Sequence, residues 1–123
     1  MKTGLPPIVD KNSRILILGS LPGMVSIERQ QYYANPGNQF WKIIFGLYEQ
    51  PVPNYYEEKV SFLRSKGIAI WDVLHQAERE GSLDAKIKEG ALNDFNSFFK
   101  QYPYIKSVYF AGQKAYNESY LMQ

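Results

Sequence analysis

A chain of 123 residues, 45% of them hydrophobic, can bury one core but is short for two, so a single domain over residues 1–123 is expected. The absence of cysteine excludes disulfides, thiolate nucleophiles and cysteine-based zinc sites, and a lone histidine, His75, excludes a histidine-rich metal site. The formal net charge of +2 permits a polyanionic partner without requiring one.

The first half of the sequence predicts one strand followed by three helices. Residues 14–20, RILILGS, are a continuous apolar run that ends in glycine, which is typical of a parallel strand covered on both faces. Helices are predicted over residues 24–30, 39–48 and 55–66. Asn38 can cap the second of these helices, and Gly67 is placed to end the third.

The second half predicts two more strands, over residues 68–74 and 107–112. Helices are predicted over residues 92–101 and from residue 113 onward, with a loop and a short helical turn over residues 79–90. Strands separated by helices indicate an α/β domain with a mostly parallel sheet. Because ligands bind such sheets beyond the carboxyl ends of the strands, residues 19–23 and Asp72 are candidate site positions.

Residues 19–23, GSLPG, form a turn rich in glycine and proline at the end of the first strand. Glycine permits left-handed dihedral angles and close approach of the backbone to a ligand. The turn is therefore either an ordinary strand-to-helix connection or the floor of a pocket. It has neither the spacing and lysine of a phosphate-binding P-loop nor the GxGxxG pattern of a dinucleotide site.

Several side chains near these strand ends have both a structural and a functional interpretation. Tyr32 and Tyr33 precede Pro36 and could stack on a nucleobase, or pack between loop and helix. The amide of Asn38 could hold a water molecule or contact a base edge, in addition to capping a helix. Asp72 is either a site carboxylate or a loop cap.

Taken in order, these residues resemble the first motif of the uracil-DNA glycosylase superfamily. The resemblance lies in GSLPG at 19–23, the serine at 26 and QQYYANPGNQFWKI at 30–43, and it is closest to the branch of hypoxanthine (deoxyinosine) DNA glycosylases. The later stretches IAIWDVL at 68–74, REGSLDAKIKEG at 79–90 and FNSFFKQYPYIKSVYFAGQKAY at 95–116 resemble the same branch. The resemblance covers the chain from about residue 5 to residue 116.

This resemblance implies a three-layer α/β sandwich with a mostly parallel central sheet. It implies a DNA repair enzyme that flips a deaminated base out of double-stranded DNA and hydrolyses its N-glycosidic bond, leaving an abasic site. Hypoxanthine is the expected base and uracil a second candidate. No metal, no organic cofactor and no membrane partner are implied, and with no signal-peptide core in the N-terminal residues a cytoplasmic protein is expected.

The resemblance also assigns roles to individual positions. Tyr33 matches the aromatic residue that stacks on the flipped base. Leu21 stands where mismatch-specific uracil enzymes carry a water-positioning asparagine, so Asn38 is the expected catalytic residue, holding the water or the leaving purine. The expected base-binding residues are Gly19, Ser20, Leu21, Pro22, Gly23, Ser26, Tyr33 and Phe40. Phe40 also begins an amphipathic helix, so it is a candidate core residue as well.

Two departures from the family pattern leave other functions open. The family continues to a further strand and a Ser/Pro-rich loop that enters the DNA minor groove, and neither is found up to Gln123, so a C-terminally incomplete domain is expected. Ala111 stands where close relatives are expected to carry asparagine. One alternative is an inactive glycosylase-like domain that only binds DNA or a nucleotide. Another is an unrelated doubly wound nucleotide-binding enzyme.

Overall fold

The computed structural model describes residues 2–74, 76–77 and 92–118. The described strands are β1 (Lys2–Thr3), β2 (Ile15–Gly19), β3 (Ile68–Asp72), β4 (Gln76–Ala77) and β5 (Ser107–Phe110). The described helices are α1 (Met24–Arg29), α2 (Phe40–Leu47), α3 (Tyr56–Ser65), α4 (Phe95–Gln101) and α5 (Gln113–Glu118). His75 and the loop and helical turn predicted over residues 79–90 lie outside the described residues.

β2 is the central strand of a three-stranded parallel sheet with the order β3-β2-β5. In this register Ile15 lies beside Ile68 and Ser107, and Gly19 lies beside Asp72. The carboxyl ends of the three strands therefore meet at one edge of the sheet. The predicted parallel sheet is confirmed.

Helices cover both faces of this sheet over β2 and β3, which is why these two strands are mostly apolar and buried, whereas Val108 and Tyr109 of β5 are exposed. Leu16 of β2 packs in one core cluster with Phe98 of α4. Ile70 of β3 packs in the other cluster with Phe45 of α2 and Leu63 of α3. The order of layers is thus α4, sheet, then α2 with α3, so the predicted three-layer sandwich is confirmed.

Helix α4 begins later than predicted, at Phe95 rather than at residue 92. Asp94 caps this helix, because its carboxylate accepts a hydrogen bond from the amide of Ser97 at 3.1 Å. Leu92 lies before the helix in an antiparallel bridge to Leu74. Leu92 therefore packs against the core from an extended segment, although its spacing from Phe95 is that of a helix.

The N-terminal segment forms β structure that the sequence analysis did not predict. β1 pairs antiparallel with β4, with Lys2 beside Ala77. Further along, Ile8 and Ile70 exchange two backbone hydrogen bonds of 2.9 Å each. These pairings join residues that are distant in the sequence, so no local sequence pattern predicts them.

Candidate functional site

A cavity of about 450 Å³ opens at the sheet edge where the carboxyl ends of the strands meet. Gly19 ends β2, Asp72 ends β3 and Ala111 follows β5, so each strand of the parallel sheet contributes to it. The lining residues are Gly19, Ser20, Leu21, Pro22, Gly23, Met24, Val25, Ser26, Tyr32, Tyr33, Asn35, Asn38, Asp72 and Ala111. The cavity therefore lies where ligands of open α/β sheets bind.

The absence of a side chain at Gly19 leaves room for two polar groups close to the end of β2. A Cβ atom at this position would lie 2.6 Å from Oδ1 of Asp72 and 3.1 Å from the hydroxyl of Tyr33. A distance of 2.6 Å is too short for a real Cβ contact, so alanine here would displace Asp72. Gly19 has ordinary strand pairing in β2, so no unusual backbone conformation requires a glycine at this position. It is the close approach of Asp72 that requires one.

The loop between α1 and α2 is held in place by hydrogen bonds from three directions. Ser26 of α1 accepts a hydrogen bond from the amide of Ala34 at 3.1 Å. Tyr32 donates from its hydroxyl to the carbonyl of Pro6 at 2.8 Å, and its own carbonyl accepts from the indole of Trp41 at 3.0 Å. Tyr33 adopts the left-handed conformation with φ of 55°. These contacts place consecutive tyrosines in the core and at the cavity wall.

Tyr33 lies at the junction between the cavity and the aromatic core. Its ring stacks on Phe40, with centroids 3.9 Å apart and an interplanar angle of 14°. Trp41 packs edge-on against both rings. Phe40 thus supports Tyr33 from behind the cavity wall and does not line the cavity.

The hydroxyl of Tyr33 is buried and has no hydrogen-bond partner among the described residues. Burial, and then the negative charge of Asp72, raise the pKa of this phenol well above its ordinary value. Burial, and then the charges of Asp72, Tyr56 and Tyr33, raise the pKa of Tyr32 even further. Both hydroxyls therefore keep their protons at every pH at which the protein would work.

Asn38 lies at the mouth of the cavity, directly before helix α2. The helix begins at Phe40, with Gln39 as its N-cap, so the predicted cap at Asn38 is displaced by one residue. Asn38 nevertheless serves the helix end, because its Oδ1 accepts a hydrogen bond from the amide of Phe40 at 2.8 Å. This bond identifies which side-chain atom is oxygen and leaves the Nδ2 amino group and one Oδ1 lone pair available. Asn38 is exposed, so these groups can reach a ligand.

The structure brings almost all the predicted site residues to one cavity. Seven of the eight predicted base-binding residues line it together with Asn38, and Phe40 supports the wall through Tyr33. Asp72 lines the same cavity, and its position at a strand end was the signal for it in the sequence. The lining residues that were not predicted are Met24, Val25, Asn35 and Ala111, although Ala111 follows the third strand and the same strand-end rule locates it.

The described residues contain no group of three or more histidine, cysteine, aspartate or glutamate side chains placed to hold a metal ion. None of the helices in the described part of the chain is long and apolar enough to cross a membrane. The candidate site combines amides, hydroxyls, aromatic rings and apolar side chains with one carboxylate among the described lining residues, that of Asp72. Such a site binds and orients a polar, flat ligand by hydrogen bonds and packing.

Comparison with known proteins agrees with the resemblance seen in the sequence. The family described as "Uracil DNA glycosylase superfamily" matches residues 6–122. A hypoxanthine DNA glycosylase of Methanosarcina barkeri is 41% identical over 115 residues, which are 93% of this chain and 73% of that protein. A hypoxanthine DNA glycosylase of Methanosarcina acetivorans is 42% identical over 116 residues, which are 94% of this chain and 73% of the relative.

A solved structure shares the fold as well. It is the solution NMR structure of a Methanosarcina acetivorans protein proposed to be a uracil DNA glycosylase. The two structures superpose with a TM-score of 0.85 at 40% sequence identity, over 98% of this chain and 76% of that one. The alternative of an unrelated nucleotide-binding enzyme is therefore wrong. With a family match across nearly all its residues and the same three-layer fold, this chain belongs to the uracil DNA glycosylase superfamily.

Proposed function

We propose that the protein is a DNA glycosylase that removes a deaminated base, hypoxanthine above all, from double-stranded DNA. The observation that carries the proposal is a single strand-end cavity of about 450 Å³ that gathers the loop at 19–23, Tyr33 and Asn38. Its relatives with 41% and 42% identity are hypoxanthine DNA glycosylases. A base must leave the double helix to enter such a cavity, and a deaminated, mispaired base leaves at the lowest cost.

The reaction breaks the bond between the base nitrogen and C1′ of the deoxyribose. The bonding electrons leave with the base, a water molecule adds its oxygen to C1′ and gives up one proton, and the base takes up one proton. Asn38 has no titratable proton, so its role in this proposal is to orient groups. The free lone pair of Oδ1 holds the water, or Nδ2 donates a hydrogen bond to the departing purine.

Positive charge develops on the sugar as the base departs, and a buried negative group near the cavity stabilises it. Asp72 is the one carboxylate among the described residues that line the cavity, and it is 5% exposed. The DNA phosphates supply further negative charge. This electrostatic contribution accounts for catalysis by a site that has few titratable groups.

The proposal is tested with three duplexes that differ only at one position, which carries hypoxanthine, uracil or adenine. After incubation with the protein, alkali breaks each strand at an abasic site, and a denaturing gel separates the fragments. We expect cleavage of the hypoxanthine duplex, less of the uracil duplex and none of the adenine duplex. An uncut hypoxanthine duplex would overturn the proposed activity.

The alternative of a domain that binds DNA without excising a base makes a different prediction. It requires salt-dependent binding to the same duplexes with no abasic product. Binding and cleavage measured on one sample of protein therefore separate the two functions. A trapped complex with intact hypoxanthine would favour the alternative.

A further inference from the structure

A second polar cavity lies along the loop that carries Tyr33 and Asn38. Its volume is about 650 Å³, and it shares Tyr32, Tyr33, Asn35 and Asn38 with the candidate base cavity. The two cavities therefore adjoin along this loop. A molecule bound in one lies next to a molecule bound in the other.

Positive charge predominates around this second cavity. Its lining includes Arg29 at the end of α1, Lys42 in the first turn of α2 and Lys59 in α3, against one carboxylate, that of Glu57. None of these three cations forms an ion pair with a residue in the described parts of the chain. Lys59 instead places its Nζ 5.6 Å from the ring centroid of Trp41. The cations are thus available to an anionic ligand.

Other features of the second cavity favour an anion as well. Gln39, the N-cap of α2, lines the cavity, and this helix has no acidic residue in its first turn. A helix start carries partial positive charge, which adds to that of Lys42. The amides of Gln31 and Asn54 offer hydrogen-bond donors on the same wall. Cations and amides together are the groups that contact DNA phosphates in protein–DNA complexes.

We infer that this second cavity binds backbone phosphates of the DNA strand whose base enters the first cavity. The inference rests on the proposed function, because it uses the shared wall formed by Tyr33, Asn35 and Asn38. A nucleotide whose base has left the helix keeps its sugar and phosphates at the mouth of the base cavity. Arg29 and Lys42 then neutralise neighbouring phosphates and hold the strand in place.

The test compares two double variants that each remove two exposed cations. Arg29→Ala with Lys42→Ala removes charge from the second cavity. Arg14→Ala with Lys106→Ala removes the same charge at the amino-terminal edge of the sheet, where the amide of Lys106 donates to the carbonyl of Arg14 at 2.8 Å. Lys59 is left unchanged because its side chain packs on the buried Trp41.

The readout is the affinity for a duplex as a function of salt concentration, measured with hypoxanthine and with adenine at the central position. Each lost phosphate contact lowers the slope of log affinity against log salt by about 1, so the Arg29/Lys42 variant should lose about 2 from the slope. The Arg14/Lys106 variant should keep the slope of the wild type. The loss should be the same on both duplexes, since phosphates carry no base identity.

Glu57→Gln supplies a test of opposite sign, because it removes the one negative charge lining the second cavity. It should tighten DNA binding roughly twofold to fivefold. Equal slopes for the two double variants, or weaker binding by Glu57→Gln, would overturn the inference. Failure of base excision with a slope change confined to Arg29/Lys42 would overturn the proposed activity while leaving the phosphate surface in place.

Discussion

At the scale of single residues, the site depends on the space that a glycine leaves where another residue would have a side chain. Gly19 has no side chain, and this lets Oδ1 of Asp72 and the hydroxyl of Tyr33 approach the end of β2. Gly23, four residues on in the same loop, has a φ of −71° and no atom within 4 Å of the place where a Cβ would stand. Of these two glycines in one loop, only Gly19 stands at a position where a side chain would clash.

Gly19→Ala should lower base excision by about 100-fold, because the new Cβ displaces Asp72 and Tyr33 from the cavity floor. Gly46→Ala is the control, because Gly46 lies in α2 outside the cavity lining and has no atom within 4 Å of a new Cβ, and it should excise at nearly the wild-type rate. Single-turnover excision from a hypoxanthine duplex measures both, with a thermal melt to show that each variant folds. Equal rates for the two variants would contradict the steric role of Gly19.

At the scale of elements, a glycine joins α3 to β3 and fixes where the sheet begins. Gly67 has φ of +71°, in the left-handed region, and its carbonyl accepts hydrogen bonds from the amides of Arg14 and Ile15 at 2.8 and 3.1 Å. The turn after α3 is thereby hydrogen-bonded to the start of β2. The sequence predicted this glycine as a helix end, and the structure confirms it.

Gly67→Ala should destabilise the protein by about 1–2 kcal/mol, since a Cβ is unfavourable in the left-handed region. Gly46→Ala is the opposite case. Gly46 lies inside α2 with no atom within 4 Å of a new Cβ, so alanine should stabilise the protein by roughly 0.5–1 kcal/mol. Urea unfolding followed by circular dichroism measures both changes. Two changes of the same sign would contradict this account.

The elements that could be predicted from the sequence are those with a local signal. Continuous apolar runs located β2, β3 and β5, and helical spacing located α2 and α3 to within one or two residues. β1 and β4 could not be predicted, because a two-residue strand exists only through its distant partner. The strand-end rule located the loop at 19–23 and Asp72. The wall shared by the two cavities could not be predicted, because it depends on the three-dimensional course of the loop at 31–39.

At the scale of the whole molecule, the core buries phenols whose protons couple stability to pH. Burial is the leading cause that raises the pKa values of Tyr32, Tyr33 and Tyr56. In the unfolded chain a tyrosine ionises near pH 10, whereas in the fold these phenols stay protonated. Unfolding above about pH 10 therefore releases protons, and stability must fall as the pH rises.

Tyr33→Phe isolates one of these phenols, because the Tyr33 hydroxyl has no hydrogen-bond partner among the described residues. The variant should be as stable as the wild type at pH 7, and its stability should fall less steeply above pH 10, by about 1.4 kcal/mol per pH unit. Urea unfolding between pH 8 and pH 11 gives the two slopes. Identical slopes would show that Tyr33 ionises in the folded protein.

The central claim is that the amide of Asn38 takes part in base removal, and Asn35 provides a matched control. Both residues line both cavities, and the Oδ1 of Asn35 accepts from the amide of Gly37 at 2.9 Å, much as that of Asn38 accepts from Phe40. Each alanine variant thus removes one amide and one local hydrogen bond from the same loop.

The most direct measurement is the single-turnover rate of hypoxanthine excision by the wild type, Asn38→Ala and Asn35→Ala. The account predicts a loss of about 100-fold or more for Asn38→Ala and a rate close to wild type for Asn35→Ala. Excision by Asn38→Ala at the wild-type rate, or equal losses in both variants, would contradict it.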